Sequence, residues 1–316
     1  MIALEAVDIN QTDVLDGLPR EVVERATELK KVIGVSVGSY TPSKGILGIR
    51  REVAAFVERR DGFAVDPECI FLTNGASEGI RRVLEMLFYP GCQDAVLLPV
   101  PGYPLYTATL TILGANVIPY YLLEEDQWKV DLRTLERQLD APNVRAIVLI
   151  NPGNPTGIVL DYETLVCILR KCAERGVLVL ADEVYQENAW SKPFVSARKV
   201  AIEQGIDVQI FSFHSTSKGL LGECGRRGGY FECHNIVPEV MEQLLKLASV
   251  SLGSNVIGQV MVALMCGGPE KECQERWQRE RNKIAEALKS RAKILADSFN
   301  ALPGVSCCPA EVIHPF

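Results

Sequence analysis

The stretch of sequence that decides the fold is residues 146–185, AIVLINPGNPTGIVLDYETLVCILRKCAERGVLVLADEVY. Its two apolar runs, at 146–150 and 177–181, have the length of buried strands, and the segment between them at 161–174 has the spacing of an amphipathic helix. A strand, a helix long enough for a crossover and a second strand predict two parallel strands of one buried sheet.

The same alternation continues on both sides of this stretch. Apolar runs typical of buried strands lie at 70–73, 95–100, 117–122, 210–213 and 228–231. Amphipathic stretches typical of crossover helices lie at 78–88, 132–139 and 194–203. This alternation predicts an α/β fold with a mostly parallel, doubly wound sheet that is covered by helices on both faces.

The pattern changes in the C-terminal part of the chain. The apolar run at 256–266 predicts a buried helix, and apolar residues at helical spacing between Pro269 and Gly304 predict one long helix. A long helix in this place is typical of a bridge to a second domain. We therefore expect an N-terminal segment at 1–50, a large domain at 51–255, and a bridging helix with the start of an incomplete second domain at 256–316.

Composition excludes several classes of protein. The chain has 316 residues with 33 Lys and Arg against 40 Asp and Glu, a net charge of -7, which excludes a dedicated nucleic-acid binder. No apolar run has the length of a membrane span. Ten cysteines without a C-x-x-C pair and three histidines predict no metal site. The first residues lack an export pattern, so we expect a cytoplasmic location, with an organellar form as the alternative.

Ligands of such sheets bind beyond the carboxyl ends of the strands, and four strand ends carry unusual residues. These clusters are NGASEG at 74–79, NPGNPTG at 151–157, DEVY at 182–185 and HSTSKG at 214–219. The first opens a helix, whose N-terminus attracts phosphate, although an ordinary capped helix start explains it equally well. The second has two Asn-Pro pairs and two glycines, more constraint than a plain turn needs.

Lys218 is the most informative residue of the fourth cluster. A lysine is usually a solvated surface residue, but here it lies among hydroxyl and glycine residues at a strand end, where loss of water favours Schiff-base chemistry. Arg227, nine residues further on, can neutralise a phosphate.

Two other kinds of enzyme have to be weighed. The chain has neither a Gly-Lys pair nor a G-x-G spacing, so the Walker and dinucleotide fingerprints are missing. Ser77 lies in a G-x-S-x-G pattern and, with Asp182 and His214, follows the order of a serine hydrolase triad. That fold needs several strands before its nucleophile, whereas residues 1–69 show little strand pattern, so the hydrolase stays a remote alternative.

Together the clusters resemble fold-type I pyridoxal-phosphate enzymes, specifically the class I aminotransferases, through NPGNPTG, ADEVY and S-x-x-K with a following Arg-Gly-Gly. Further stretches are similar to alanine aminotransferases and the related glutamate:glyoxylate enzymes. They are YTPSKGI at 40–46, ERRDG at 58–62, PGYPLY at 101–106, SFHSTSKG at 212–219, GECG at 222–225 and RGGY at 227–230. The resemblance covers about residues 19–309.

The resemblance implies pyridoxal 5'-phosphate as the cofactor and assigns residues around its ring. Lys218 would form the Schiff base and move the proton during catalysis, and Asp182 would keep the pyridine nitrogen protonated. Tyr185 and Asn154 would hydrogen-bond the ring hydroxyl. Tyr103 would stack on the ring face.

The resemblance also implies a set of phosphate ligands. Ala76 and Ser77 at a helix start would hold the phosphate together with Ser215 and Arg227. Tyr40 would reach the phosphate of the neighbouring subunit, so the resemblance implies a homodimer.

The activity implied first is transamination between L-alanine and 2-oxoglutarate, with glutamate and glyoxylate as the alternative pair. Family members are longer and end in a small domain whose arginine binds the substrate carboxylate. We therefore expect a C-terminally truncated chain, and a third possibility is a cofactor-binding but catalytically impaired fragment that associates with intact subunits. The expected ligands are an amino acid and a 2-oxo acid, with neither nucleic acid nor membrane as a partner.

Overall fold

An eight-stranded mixed sheet forms the centre of the structure, a computed structural model that describes residues 2–34, 36–219, 222–269 and 273–312. The strands are β1 (Ile70–Thr73), β2 (Ala95–Val100), β3 (Asn116–Leu123), β4 (Lys129–Val130), β5 (Val144–Ile150), β6 (Leu178–Asp182), β7 (Ile210–Ser215) and β8 (Gly229–His234). Their spatial order is β1-β8-β7-β6-β5-β2-β3-β4.

The centre of the sheet is parallel. Strands β7, β6, β5, β2 and β3 are consecutive neighbours and run in one direction, whereas β8 pairs antiparallel with β7 and β1, and β4 pairs antiparallel with β3. The predicted mostly parallel sheet is confirmed. The chain order reverses between β2 and β5, which is where ligands of such sheets bind.

Twelve α-helices accompany the sheet in the described ranges. They are α1 (Ile2–Asp8), α2 (Thr12–Leu15), α3 (Arg20–Ile33), α4 (Leu47–Asp61), α5 (Ala76–Leu87), α6 (Pro104–Leu113), α7 (Leu132–Leu139), α8 (Tyr162–Arg175), α9 (Ala197–Glu203), α10 (Pro238–Val250), α11 (Val256–Gly267) and α12 (Gln274–Asn300).

Helices cover both faces of the sheet, because successive strand residues point to opposite sides. On β6, Leu178 and Leu180 pack against the layer that contains α5, α6 and α10. Val179 and Ala181 pack against α7, α8 and α9 on the other face. Helices α1, α3, α4 and α11 continue this second layer over β1 and β8. The central strands are buried on both faces, so they appear in the sequence as continuous apolar runs.

The predicted elements match the structure closely. The strands predicted at 70–73 and 95–100 and the helix predicted at 132–139 have the predicted bounds, and the other predicted strands differ by one to three residues at an end. The buried helix at 256–266 is confirmed as α11. The long helix predicted between Pro269 and Gly304 is confirmed as α12, which is shorter than that range. The division into 1–50, 51–255 and 256–316 stays a proposal. Helix α4 crosses residue 50. The buried cluster over β1 and β8 contains residues from all three ranges.

Candidate active site

The predicted site residues come from neighbouring strand ends. Tyr103 follows β2, Asn154 follows β5, Tyr185 follows β6 and Lys218 follows β7. Since these four strands are parallel neighbours, their carboxyl ends meet at one edge of the sheet. The edge lies at the point where the strand order reverses, so the topology itself brings these side chains together.

Asp182 is the buried acid of this edge. It is 3% exposed, and its carboxylate accepts a hydrogen bond from the Tyr106 hydroxyl at 2.8 Å. Burial raises its pKa from 3.8 to about 6, against the opposing effect of that hydrogen bond. The carboxylate is thus mostly ionised at neutral pH and carries a charge that a protonated ligand nitrogen can offset.

Tyr185, three residues after Asp182, forms a hydrogen-bonded pair with Asn154. The Asn154 Nδ2 donates to the Tyr185 hydroxyl oxygen at 3.3 Å. Burial, followed by the charge of Asp182, raises the pKa of Tyr185 from 10.0 to about 12. The phenol therefore keeps its proton throughout the physiological range and can act as a hydrogen-bond donor.

Lys218 lies beside this pair. Its Nζ is 5.5 Å from the centroid of the Tyr185 ring, and the residue is half-buried. The following residue, Gly219, has a φ of +81° and is fixed by Asn188. The Gly219 N–H donates to Asn188 Oδ1 at 2.9 Å, and Asn188 Nδ2 donates to the Gly219 carbonyl at 2.9 Å. Asn188 thus holds the backbone next to Lys218.

The start of α5 forms an anion cradle with Arg227. Helix α5 begins at Ala76 after Gly75, where a Cβ would overlap with the Arg227 guanidinium. Arg227 Nη2 donates to Ser77 Oγ and to the Asn74 carbonyl, both at 3.1 Å. A helix N-terminus, a hydroxyl and a guanidinium therefore meet in one place, which is the donor set of a phosphate site.

Two further residues complete the surroundings of the cradle. Ser215 is buried at the end of β7, and its Oγ accepts from the Ser217 N–H at 3.3 Å. Asn255 Nδ2 donates to Asn74 Oδ1 at 2.7 Å and to the Arg227 carbonyl at 3.2 Å. The start of α11 thus ties the two sides of the cradle together.

Tyr40 lies apart from the others. It is 83% exposed, and its predicted role toward a neighbouring subunit stays a prediction. Tyr103 is 43% exposed at the start of α6, close enough to Tyr185 to contribute to its raised pKa.

Three contributing residues were missed by sequence reasoning. Tyr106 belongs to the PGYPLY motif and lies one helical turn after Tyr103, so its position could have suggested its role. Asn255 accepts from the Gly258 N–H at the start of α11, and a capping residue before an apolar run is a readable signal. Asn188 has no such signal.

The serine hydrolase alternative is wrong. His214 is buried between Phe56 and Tyr230, and neither ring nitrogen has a hydrogen-bond partner among the described residues. Burial lowers the pKa of His214 from 6.5 to about 3, which makes it a poor base. Ser77 accepts from Arg227 and Asp182 from Tyr106, and among the described residues no hydrogen bond joins any two of the three triad candidates.

The described ranges contain no cluster of three or more His, Cys, Asp and Glu that could hold a metal ion. Within the same ranges, no helix combines the length and apolarity required to cross a bilayer.

Comparison with known proteins places the whole chain in one family. The model of the family "Aminotransferase class I and II" matches residues 5–314. Glutamate–glyoxylate aminotransferase 2 of Arabidopsis thaliana is 42% identical over 302 residues, 92% of this chain and 63% of the relative. The probable mitochondrial alanine aminotransferase of Dictyostelium discoideum is 44% identical over 306 residues, 93% of this chain and 57% of the relative. The chain thus spans less than two thirds of these relatives' lengths.

Solved structures agree on the fold. An aminotransferase from Escherichia coli has a TM-score of 0.78 at 27% identity, covering 94% of this chain and 70% of its own. An alanine aminotransferase from Pyrococcus furiosus has a TM-score of 0.80 at 24% identity, covering 99% and 79%. The fold is that of these enzymes. Since the family model matches residues 5–314 and relatives exceed 40% identity, the chain belongs to the aminotransferase class I and II family.

Proposed function

We propose that this chain is a transaminase that binds pyridoxal phosphate at the carboxyl edge of β2, β5, β6 and β7. The proposed reaction is the transfer of an amino group from L-alanine to 2-oxoglutarate. One observation carries the proposal, the convergence of Lys218, the buried Asp182 and the Tyr185–Asn154 pair at one sheet edge.

The donor set of the site fits pyridoxal phosphate. The cradle of Arg227, Ser77 and the start of α5 suits a dianionic phosphate. Asp182 suits a protonated ring nitrogen, because a buried carboxylate with a raised pKa gains most from a cationic partner. Tyr185 and Asn154 suit the ring oxygen. When bound, pyridoxal phosphate supplies an electron-withdrawing ring that stabilises negative charge at the substrate α-carbon.

The chain's own residues perform the remaining work in this proposal. Lys218 would bind the cofactor covalently, and its free amine would move a proton at the substrate α-carbon. Asp182 keeps the ring nitrogen protonated, Tyr185 donates its hydroxyl proton toward the ring oxygen, and Tyr103 covers the ring face. Ala76 and Ser215 complete the phosphate site, and Tyr40 reaches the phosphate of a second subunit in a homodimer.

Two observations bear on the substrate and on completeness. The relatives' names include alanine and glutamate–glyoxylate aminotransferases, so glutamate with glyoxylate is the second candidate pair. Because those relatives are longer, a cofactor-binding but catalytically impaired chain is the third candidate. We propose a cytoplasmic location, with an organellar one as the alternative, since several relatives' names are mitochondrial.

The test is a visible absorbance spectrum of the purified chain with pyridoxal phosphate, followed by borohydride reduction and peptide mapping. We expect reduced cofactor on Lys218 and a spectral change on addition of L-alanine, and a Lys218→Ala variant gives neither. Label on other lysines with Lys218 unmodified contradicts the proposal. Label on Lys218 without a response to L-alanine or L-glutamate favours the impaired chain.

A further inference from the structure

Residues 310–312, here named the tail segment, lie across the two loops that carry Asn154 and Tyr185. The Glu311 N–H donates to the Gly157 carbonyl at 2.8 Å, and the Trp190 N–H donates to the Glu311 carbonyl at 3.2 Å. The Glu311 carboxylate accepts from the Val159 N–H at 2.9 Å. One residue therefore contacts the loop after β5 twice and the loop after β6 once.

Val312 adds an apolar contact at the same place. It is 1% exposed, forms an antiparallel bridge with Ala189 and packs with Val159 and Tyr185 in a small buried cluster. Tyr185 is itself 3% exposed, so Val312 is part of the wall that holds its ring. A well-packed wall restricts the ring to one position.

The two loops need such a connection. They are joined at their base by the β5–β6 pairing and by the Asn151 N–H, which donates to the Asp182 carbonyl at 3.0 Å. Further out, Asn154 meets Tyr185 at 3.3 Å, near the limit of a useful hydrogen bond. The outer ends, around Val159 and Trp190, are bridged by Glu311.

We propose that the tail segment is a positioning element of the cofactor site. Glu311 and Val312 fix the outer ends of the two loops, and thereby hold Asn154 and Tyr185 at the distance at which both reach the same ring oxygen. The proposal rests on the proposed function for the identity of the ligand, but the ordering of the loops by the tail segment does not depend on it. Glu311 and Val312 are positioning residues, because they act through the loops that carry Asn154 and Tyr185.

The test compares five variants of the full chain. Glu311→Ala removes the acceptor of the Val159 N–H, whereas Glu311→Gln keeps an oxygen there and should rescue. Val312→Ala opens a gap beside Tyr185, and its matched control is Val305→Ala, at a residue that is 43% exposed. Lys192→Met removes the ion pair of Lys192 with Glu311, whose lysine side chain is 51% exposed, and should change little.

The first measurement is hydrogen–deuterium exchange without cofactor. We expect the amides of Val159 and Trp190 to exchange roughly fivefold faster or more in Glu311→Ala, while Glu311→Gln stays near wild type. Amides of β2 and β3 serve as the internal check of folding. Unchanged exchange at Val159 and Trp190 in a folded Glu311→Ala variant overturns the proposal.

The second measurement is the dissociation constant for pyridoxal phosphate with the visible circular dichroism of the bound form. We expect Glu311→Ala and Val312→Ala to weaken binding roughly three- to tenfold and to change the dichroic band, with both controls at wild-type values. Weaker binding with an unchanged band, or equal losses in the controls, indicates a merely structural role and overturns the proposal. If the wild-type chain itself leaves Lys218 unlabelled, the proposed function fails. The cofactor part of this inference fails with it, while the exchange result still decides whether the tail segment orders the loops.

Discussion

Two buried acidic regions lie on opposite faces of the sheet at the end of β6. Asp182 points toward α6, where its carboxylate accepts from the Tyr106 hydroxyl at 2.8 Å and from the Val184 N–H at 3.4 Å. Glu183, the next residue, points to the other face and lies 3.5 Å from an Arg60 nitrogen. Asp182 forms no ion pair with any residue that the structure describes. Adjacent acids of one strand end thus have opposite electrostatic surroundings.

The region around Glu183 is a buried ion cluster. Arg60 binds both oxygens of Asp61, at 2.7 and 2.8 Å, and Arg198 Nε lies 2.8 Å from Glu232. Three carboxyl groups share two guanidinium groups, so one carboxyl group holds a proton near neutral pH. Burial raises the pKa of Glu183 to about 8 and that of Glu232 to about 7, while Arg60 keeps that of Asp61 below 3.8 against the effect of burial.

The difference separates a structural region from the proposed cofactor site. The ion cluster is nearly neutral by itself, connects α4, β6, α9 and β8, and offers nothing to a ligand. Asp182 carries a charge that the protein leaves uncompensated in a buried place. Such a charge is costly unless something binds it, which is why it marks the site rather than the core.

The largest expected effect is a loss of protein stability when the ion cluster is broken. Arg60→Met leaves the buried Asp61 carboxylate without its main cation. We expect the free energy of unfolding to fall by about 3–5 kcal/mol, because a buried charge is left unpaired. Urea unfolding monitored by circular dichroism measures it.

The matched control is Arg276→Met in α12, whose partner Glu280 is also exposed, and here no measurable change is expected. The folded fraction of Arg60→Met should still bind pyridoxal phosphate. A loss of cofactor binding larger than the loss of folded protein contradicts the separation of the two regions.

The opposite result is expected for Asp182→Asn. Replacing the uncompensated carboxylate by an amide removes the partner of a protonated ring nitrogen, so the amino-transfer rate should fall about 10²- to 10³-fold. Stability should be unchanged or increase, since a buried unpaired charge is lost. Single-turnover absorbance with L-alanine and urea unfolding give the two values. A rate within a few fold of wild type shows that Asp182 has no such role.

Much of the fold was predictable because its signals are local. The strands are buried on both faces and stand as continuous apolar runs, so β1 and β2 were predicted to the residue. The two-residue β4 has no run long enough to detect. The four helices of the first 61 residues were not predicted individually. Helices α1, α3 and α4 bury one face in the layer over β1 and β8, whereas α2 buries no residue.

The site was predictable only where its residues stand in motifs. Lys218, Asn154 and Arg227 lie in Gly- and Pro-rich strand ends that a plain connection does not need. The hydrogen bond of Tyr106 to Asp182 joins residues 76 positions apart, and Glu311 meets Val159 across 152 positions. No local pattern encodes pairs of this kind, since they exist only after the sheet has formed.

A smaller effect is expected when the hydrogen bond to Asp182 is removed. Tyr106→Phe takes away a donor that favours the ionised carboxylate, so the pKa of Asp182 should rise further and its hold on a protonated ring nitrogen should weaken. We expect pyridoxal phosphate to bind roughly fivefold more weakly, equivalent to about 1 kcal/mol. The matched control is Tyr120→Phe, whose hydroxyl donates to the Val148 carbonyl at 2.7 Å within the same sheet. Equal losses of affinity in both variants contradict the role of Tyr106.

The smallest effect concerns stability between pH 6.5 and 8. Glu183 and Glu232 have ordinary pKa values of 4.5 and folded values of about 8 and 7, so in this range the folded chain holds protons that the unfolded chain has lost. Stability must then fall as the pH rises, by about 1.4 kcal/mol per pH unit at most for each group. His214 and His234, with folded pKa values of about 3 and 4, act in the opposite direction but only below pH 6.5.

The same titration distinguishes the two adjacent acids at the end of β6, Asp182 and Glu183. Urea unfolding at several pH values should show a flatter profile for Glu183→Gln than for wild type above pH 6.5. The profile of Asp182→Asn should run parallel to that of wild type there, because the folded pKa of Asp182 is about 6 and its contribution is complete at lower pH. A flattened Asp182→Asn profile above pH 6.5 shows that Asp182 itself holds a proton in this range. Asp182 would then lack the uncompensated charge that distinguishes it from Glu183.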